Sequence, residues 1–126
     1  MYPKKAKVIT ICGSLRFQKE LIETADRLEL AGNCVLSVVY PSKAKELYTQ
    51  SEIEMFQHMH YQRIEMSDAI YIVNVGGYIG ESTCSELAYA ISKGKEVLSL
   101  VPMMKGGQNN DSTKCRNHPD GYRTGC

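Results

Sequence analysis

The chain has 126 residues, 43% of them apolar, and a formal net charge of +1. That is enough apolar material for one domain with a core of its own. The small net charge excludes a strong field for a nucleic-acid polymer or an anionic membrane surface. The longest apolar runs fall far short of the roughly 20 residues of a membrane span.

Residues 7–12 form a β-branched run that ends at Gly13, which predicts a buried first strand rather than a signal peptide. Ser14 offers an N-cap for a helix over 16–31, where Leu21, Ile22, Ala25, Leu28 and Ala31 recur at helical spacing. Gly32 and Asn33 close that helix. A second strand is expected over 35–40, stopped by Pro41. Residues 42–67 read as helical in two pieces, with Leu47, Ile53, Met55, Phe56, Met59 and Ile64 among polar neighbours. A third strand over 69–75, a third helix over 82–93 ended by Gly94, and a fourth strand over 96–101 follow.

Past Pro102 the composition shifts to Gly, Asn, Asp, Lys and Arg, and no further strand or helix is visible. The expected organisation is one domain over 1–102 and an irregular or mobile tail over 103–126. Cys115, His118 and Cys126 in that tail match no standard zinc spacing, so no metal and no cofactor are expected. Cys12 and Cys34 read as core thiols of a cytoplasmic protein.

Alternation of strand and helix with near-continuous apolar strands predicts a three-layer α/β fold, Rossmann- or flavodoxin-like, with about four parallel strands. Loops 13–16 and 75–83 both leave carboxyl ends of strands. Right-handed crossovers should bring them together at one crevice, despite their separation in sequence.

Two motifs in those loops carry chemistry. In CGSLR (12–16), Gly13 permits close backbone approach, while Ser14 and Arg16 offer a hydroxyl and a guanidinium at a helix start. This serves either as a phosphate cradle or as a helix cap beside a solvated arginine. It is neither GxGxxG nor a P-loop. In GGYIGESTCSE (76–86), clustered glycines precede Ser82 and Thr83, natural N-caps, and then Glu86. A carboxylate there is either a nucleophile or base, or the N3 partner of a capping box. Cys84 in the same loop has no histidine near it in sequence. Asp68 is expected to cap or turn the chain, and Glu81 to be exposed.

CGSLRF followed by SDAIYIVNVGGYIGESTCSELAYAISKGKEV resembles the nucleoside 2-deoxyribosyltransferase superfamily, which includes 2′-deoxynucleoside 5′-phosphate N-hydrolases. The resemblance spans roughly residues 7–101. It implies Glu86 as nucleophile at C1′ of a nucleoside or nucleotide. It also implies a glycosyl-enzyme formed through an oxocarbenium-like transition state. The implied substrate-binding set is Cys12, Gly13, Ser14, Leu15 and Arg16 from the first loop, with Gly77, Tyr78, Gly80, Ser82 and Thr83 from the second. Family members often carry a tyrosine near the end of strand one, where Thr10 stands here. They also often carry an aspartate in the helix before strand three, where His60 falls. His60 is accordingly the second catalytic candidate, as proton donor.

The expected function is hydrolysis or base exchange at an N-glycosidic bond. The expected substrate is a small molecule, a nucleoside or nucleotide, with 2′-deoxyribose and a 5′-phosphate favoured. The alternatives are a non-catalytic nucleotide-binding module or sensor, and a phosphoribohydrolase of the cytokinin-activating type. The latter's PGGxGTxxE motif is matched only in Thr83 and Glu86. A homodimer or higher homo-oligomer is expected, because a small sheet leaves apolar surface to cover.

Overall fold

A computed structural model describes residues 5–103. The tail expected over 103–126 lies, from residue 104 onward, outside the described residues. So do Cys115, His118 and Cys126. Strand β1 (Val8–Cys12) leads through a 3-10 turn (Leu15–Phe17) into helix α1 (Gln18–Leu30) and strand β2 (Cys34–Leu36). A second 3-10 turn (Lys45–Leu47) precedes α2 (Gln50–Met66) and β3 (Ala69–Ile72). The turn Val75–Gly77, helix α3 (Glu81–Ser92) and β4 (Glu96–Ser99) follow.

The sheet order is β2-β1-β3-β4, and every pair is parallel. Period-two alternation sorts the two central strands between two cores. Ile9, Ile11, Ala69, Tyr71 and Val73 pack with Leu21 and Leu28 of α1 on one face. Cys12, Ile70 and Ile72 pack with Ile64 of α2 and Ala90 of α3 on the other. The predicted three-layer α/β architecture is what the chain forms, and no helix among the described residues is long and apolar enough to cross a membrane.

The chain leaves β1 toward β2 on one side and returns to β3 on the other. The strand order therefore reverses between β1 and β3, the position at which open α/β sheets form a crevice. Gly13 makes the close approach there possible. A Cβ on it would stand 3.1 Å from Leu21 Cδ2 and 3.2 Å from both Cβ and the carbonyl oxygen of Val73. Asn74, just past β3, is buried and pins the neighbouring loop. Its Nδ2 donates to the Val101 carbonyl, and the Val101 N–H donates to its Oδ1, each at 3.0 Å.

Several boundaries differ from expectation. β2 pairs only from Cys34 to Leu36. As an edge strand it has a sheet neighbour on one side alone, so nothing holds 38–40 in register, and that segment leaves the sheet. Cys34 is exposed rather than in the core. Helix α2 starts with a capping box that spacing alone did not single out. Thr49 accepts from the Glu52 N–H at 3.1 Å, and Glu52 accepts from the Thr49 N–H at 2.9 Å. Asp68 does turn the chain, accepting the Val8 N–H at 2.9 Å.

Candidate active site

A cleft of about 510 Å3 opens at the carboxyl ends of β1 and β3. Both loops reach it as expected: Gly13, Ser14, Leu15 and Arg16 line it from the first, and Tyr78, Gly80, Ser82 and Thr83 from the second. Cys12 lies beneath the floor and reaches the site through its sulfur. Gly77 does not line the cleft. At φ 87°, next to Gly76 at φ 62°, it supplies the left-handed backbone that turns the second loop.

The polar rim is built by two helix starts. Ser14 accepts the Arg16 N–H at 3.3 Å and opens the first 3-10 turn. Gly80, not Ser82 or Thr83, is the N-cap of α3, and it brings no capping side chain. The first turn of α3 thus lines the cleft, and a helix start in that position favours an anion. Arg16 joins the two loops. Its guanidinium carbon lies 4.9 Å from the Tyr78 ring centroid and 5.3 Å from that of Phe17, and those two rings meet edge to face at 5.9 Å.

Because α3 begins at Glu81, Glu86 occupies its second turn and cannot be the N3 partner of a capping box. The bland role for this carboxylate is thereby removed. Its side chain is 14% exposed and borders the cleft. Burial pushes its pKa up to about 8, against the lowering effect of a hydrogen bond with the Cys12 thiol. The Cys12 thiol is itself raised well above its usual value, chiefly by burial and then by Glu86, so it is no ready nucleophile.

His60 is buried rather than solvent-exposed. Its Nε2 lies 3.9 Å from Glu86 Oε1 and 3.6 Å from Cys12 Sγ. Its Nδ1 lies 3.1 Å from Arg63 Nη1. A guanidinium only donates, so Nδ1 accepts and the ring proton sits on Nε2, facing the thiol and the carboxyl. Burial first, and the Arg63 charge second, lower the His60 pKa to about 4, while a backbone hydrogen bond with Ile11 acts the other way. At neutral pH the pair is therefore a neutral imidazole beside a mostly protonated carboxyl, not an ion pair. A neutral imidazole is a poor acid, and its Nε2 meets the Cys12 sulfur within hydrogen-bond reach while Glu86 Oε1 stands beyond it at 3.9 Å.

Ligand atoms of Cys12, His60 and Glu86 lie within 4.8 Å of one another. Sulfur, imidazole and carboxylate are zinc-type donors. The second contact of His60 opposes this use. A metal-bound imidazole carries its proton on the other nitrogen and needs an acceptor there, whereas Nδ1 faces a guanidinium. The set fits a protonated network better than a cation.

Thr10 does not bond to Glu86. Its buried hydroxyl donates to the Arg63 carbonyl at 3.1 Å and pairs with the Ser67 hydroxyl. Tyr61 stands nearer to Glu86, whose charge helps to raise its pKa after burial.

One wall went unread in the sequence. It comprises Val38, Val39, Pro41 and Tyr48 between β2 and α2, with Ile53, Phe56 and Gln57 of α2. Positions 53, 56, 57 and 60 follow the i, i+3, i+4, i+7 pattern of one helix face. That signal was present, but an apolar stripe of this kind equally describes a core face.

Fold and site together define a parallel α/β protein with a buried carboxyl and imidazole at the floor of a cleft with a polar rim. No family model matches the chain, and no curated protein matches it. Among solved structures it is similar to a conserved protein from Enterococcus faecalis V583, at 19% identity and a TM-score of 0.56. That likeness covers 87% of this chain and 72% of the other. At this identity it concerns the fold.

Proposed function

We propose that the protein cleaves or exchanges the N-glycosidic bond of a 2′-deoxynucleoside 5′-phosphate, with Glu86 as nucleophile. The observation that carries this reading is the Glu86 carboxyl. It lies in the second turn of α3 without a capping role, at the floor of a cleft whose rim holds Ser14, Arg16, Ser82 and Thr83. The rim suits a phosphate, and Glu86 lines the same cleft, within which C1′ of a bound nucleotide would approach the carboxyl. The ionised carboxylate attacks C1′, the C1′–N bond breaks, and its electron pair leaves with the base, which takes a proton from water in the open cleft. Water or a second base then displaces the ester oxygen from C1′ and returns the carboxylate.

With a pKa of about 8, roughly a tenth of Glu86 is ionised at pH 7 in the empty site. The hydrogen bond from the Cys12 thiol, which lowers the Glu86 pKa against burial, stabilises the reactive form. The same predominance of the neutral carboxyl favours a second reading, a nucleotide-binding module that leaves the bond intact.

The test is chromatography of free base released from a panel of ribo- and deoxyribonucleosides and their 5′-monophosphates. Release by the parent and not by Glu86→Ala supports the enzyme. Tight binding without release supports the module. A second copy of the chain is proposed to cover Met55, Met59 and Met66, which lie exposed along one stripe of α2. Light scattering at the molar mass of one chain would exclude that assembly.

A further inference from the structure

The cleft has Arg16, Ser82 and Thr83 on its loop side and an apolar group that includes Val39, Ile53 and Phe56 on its α2 side, where Lys45, Gln57 and Arg63 also line it. We infer that Phe56 and Gln57 form the subsite for the nucleobase, Phe56 as its platform and Gln57 as the residue that reads its edge. This rests on the proposed nucleotide substrate, though not on catalysis.

The argument starts from the reacting carbon. A glycosidic carbon poised over Glu86 has the anion-binding rim of Arg16, Ser82 and Thr83 on one side, which takes the phosphate. The base must then extend the other way, along α2. Phe56 and Gln57 precede His60 by four and three residues, about one helical turn, or about 5.4 Å along the axis. That step matches the reach of a base from its sugar carbon. Phe56 lines the cleft and is 40% exposed, a large apolar ring left open to a ligand. Tyr48 fixes its orientation, with ring centroids 5.4 Å apart at 87°. Tyr48 is in turn held by the Ser42 N–H, which donates to its hydroxyl at 3.0 Å. A preset ring offers stacking at little entropic cost.

Gln57 is the one amide side chain on the cleft wall among the described residues, and it makes no hydrogen bond with any of them. An amide presents one acceptor and two donors, which suits the paired donor and acceptor groups of a base edge. Stacking on Phe56 is tolerant of base identity, whereas hydrogen bonding by Gln57 is not.

The experiment is calorimetric titration of Glu86→Gln protein, which cannot turn the ligand over. Ligands are the 5′-monophosphates of deoxyadenosine, deoxyguanosine, deoxycytidine and thymidine, with 2-deoxyribose 5-phosphate as a ligand lacking the base. Adding Phe56→Ala is expected to weaken all four nucleotides about tenfold and leave the sugar phosphate unchanged. Adding Gln57→Leu is expected to change the affinity ratio of best to poorest nucleotide at least fivefold, again sparing the sugar phosphate. Thermal melts establish that each variant folds. Unchanged ratios, or equal weakening of nucleotides and sugar phosphate, overturn the subsite while the nucleotide reading stands. Failure of all nucleotides to bind protein with Phe56 and Gln57 intact overturns both.

Discussion

Arg63 Nη1 lies 3.1 Å from His60 Nδ1, one turn earlier on the same helix, and so determines which face of the imidazole carries its proton. The ring has no choice of tautomer while that guanidinium is in place, and its Nε2–H is directed at Cys12 and Glu86. Replacing Arg63 with Met removes both the donor and the second-ranked cause of the low His60 pKa. The His60 titration, followed by NMR of its ring protons, is expected to move from about 4 toward 6.5. A titration unchanged in Arg63→Met would show that burial alone sets it.

The Glu86 and His60 shifts make opposite contributions to the pH dependence of stability. Glu86 has a folded value of about 8 against 4.5. Its contribution is full below pH 4.5 and is lost as pH rises toward 8. His60 has a folded value of about 4 against 6.5. Its contribution is full above pH 6.5 and is lost as pH falls toward 4. The slopes oppose between pH 4.5 and 6.5. Between pH 6.5 and 8 Glu86 acts alone, so stability is expected to fall by up to about 1.4 kcal/mol per pH unit. Urea unfolding of the parent and of Glu86→Gln across that window checks this, because the variant should lack the loss.

Asn74→Ala removes two hydrogen bonds to Val101 and leaves the Val101 N–H and carbonyl without those partners. The expected cost is about 2 kcal/mol, read as a lowered urea midpoint. A change under about 0.5 kcal/mol would mean that water replaces the amide in full.

Gly13→Ala places a methyl within 3.2 Å of the Val73 carbonyl oxygen and Cβ. Leu21 can rotate away, but the backbone of the strand end cannot. Destabilisation by about 1–3 kcal/mol is expected. An undiminished melting temperature would show that the first loop is free to lift from the sheet.

Arg16→Ala tests the anion-binding end of the cleft. Deoxynucleoside 5′-monophosphate binding is expected to weaken about tenfold or more, with the corresponding nucleoside little changed. Equal weakening of both would assign Arg16 to loop packing through Phe17 and Tyr78 rather than to phosphate.

The fold was legible because its signals are local. Ile9, Ile11, Ile70 and Ile72 form runs that only a strand buried on both faces can use, and Gly32 and Gly94 end helices where left-handed backbone is required. Errors fell at ends and edges. Residues 38–40 look like strand, yet the edge of the sheet released them, and Val38 and Val39 line the cleft while Tyr40 packs on the core. Ser82 and Thr83 look like caps, yet Gly80 starts the helix, and that shift of register moved Glu86 into the second turn.

The sequence by itself determined the parallel α/β architecture and the meeting of the two loops at one crevice, since periodicity and turn chemistry act between neighbours in the chain. Only the tertiary structure decided what surrounds Glu86. Cys12 arrives from β1 and His60 with Arg63 from α2, and Thr10 turns away to Arg63 and Ser67. The proton inventory of the site follows from that assembly. Desolvation and Coulomb interaction depend on distance through space, and the residues that set them are far apart along the chain.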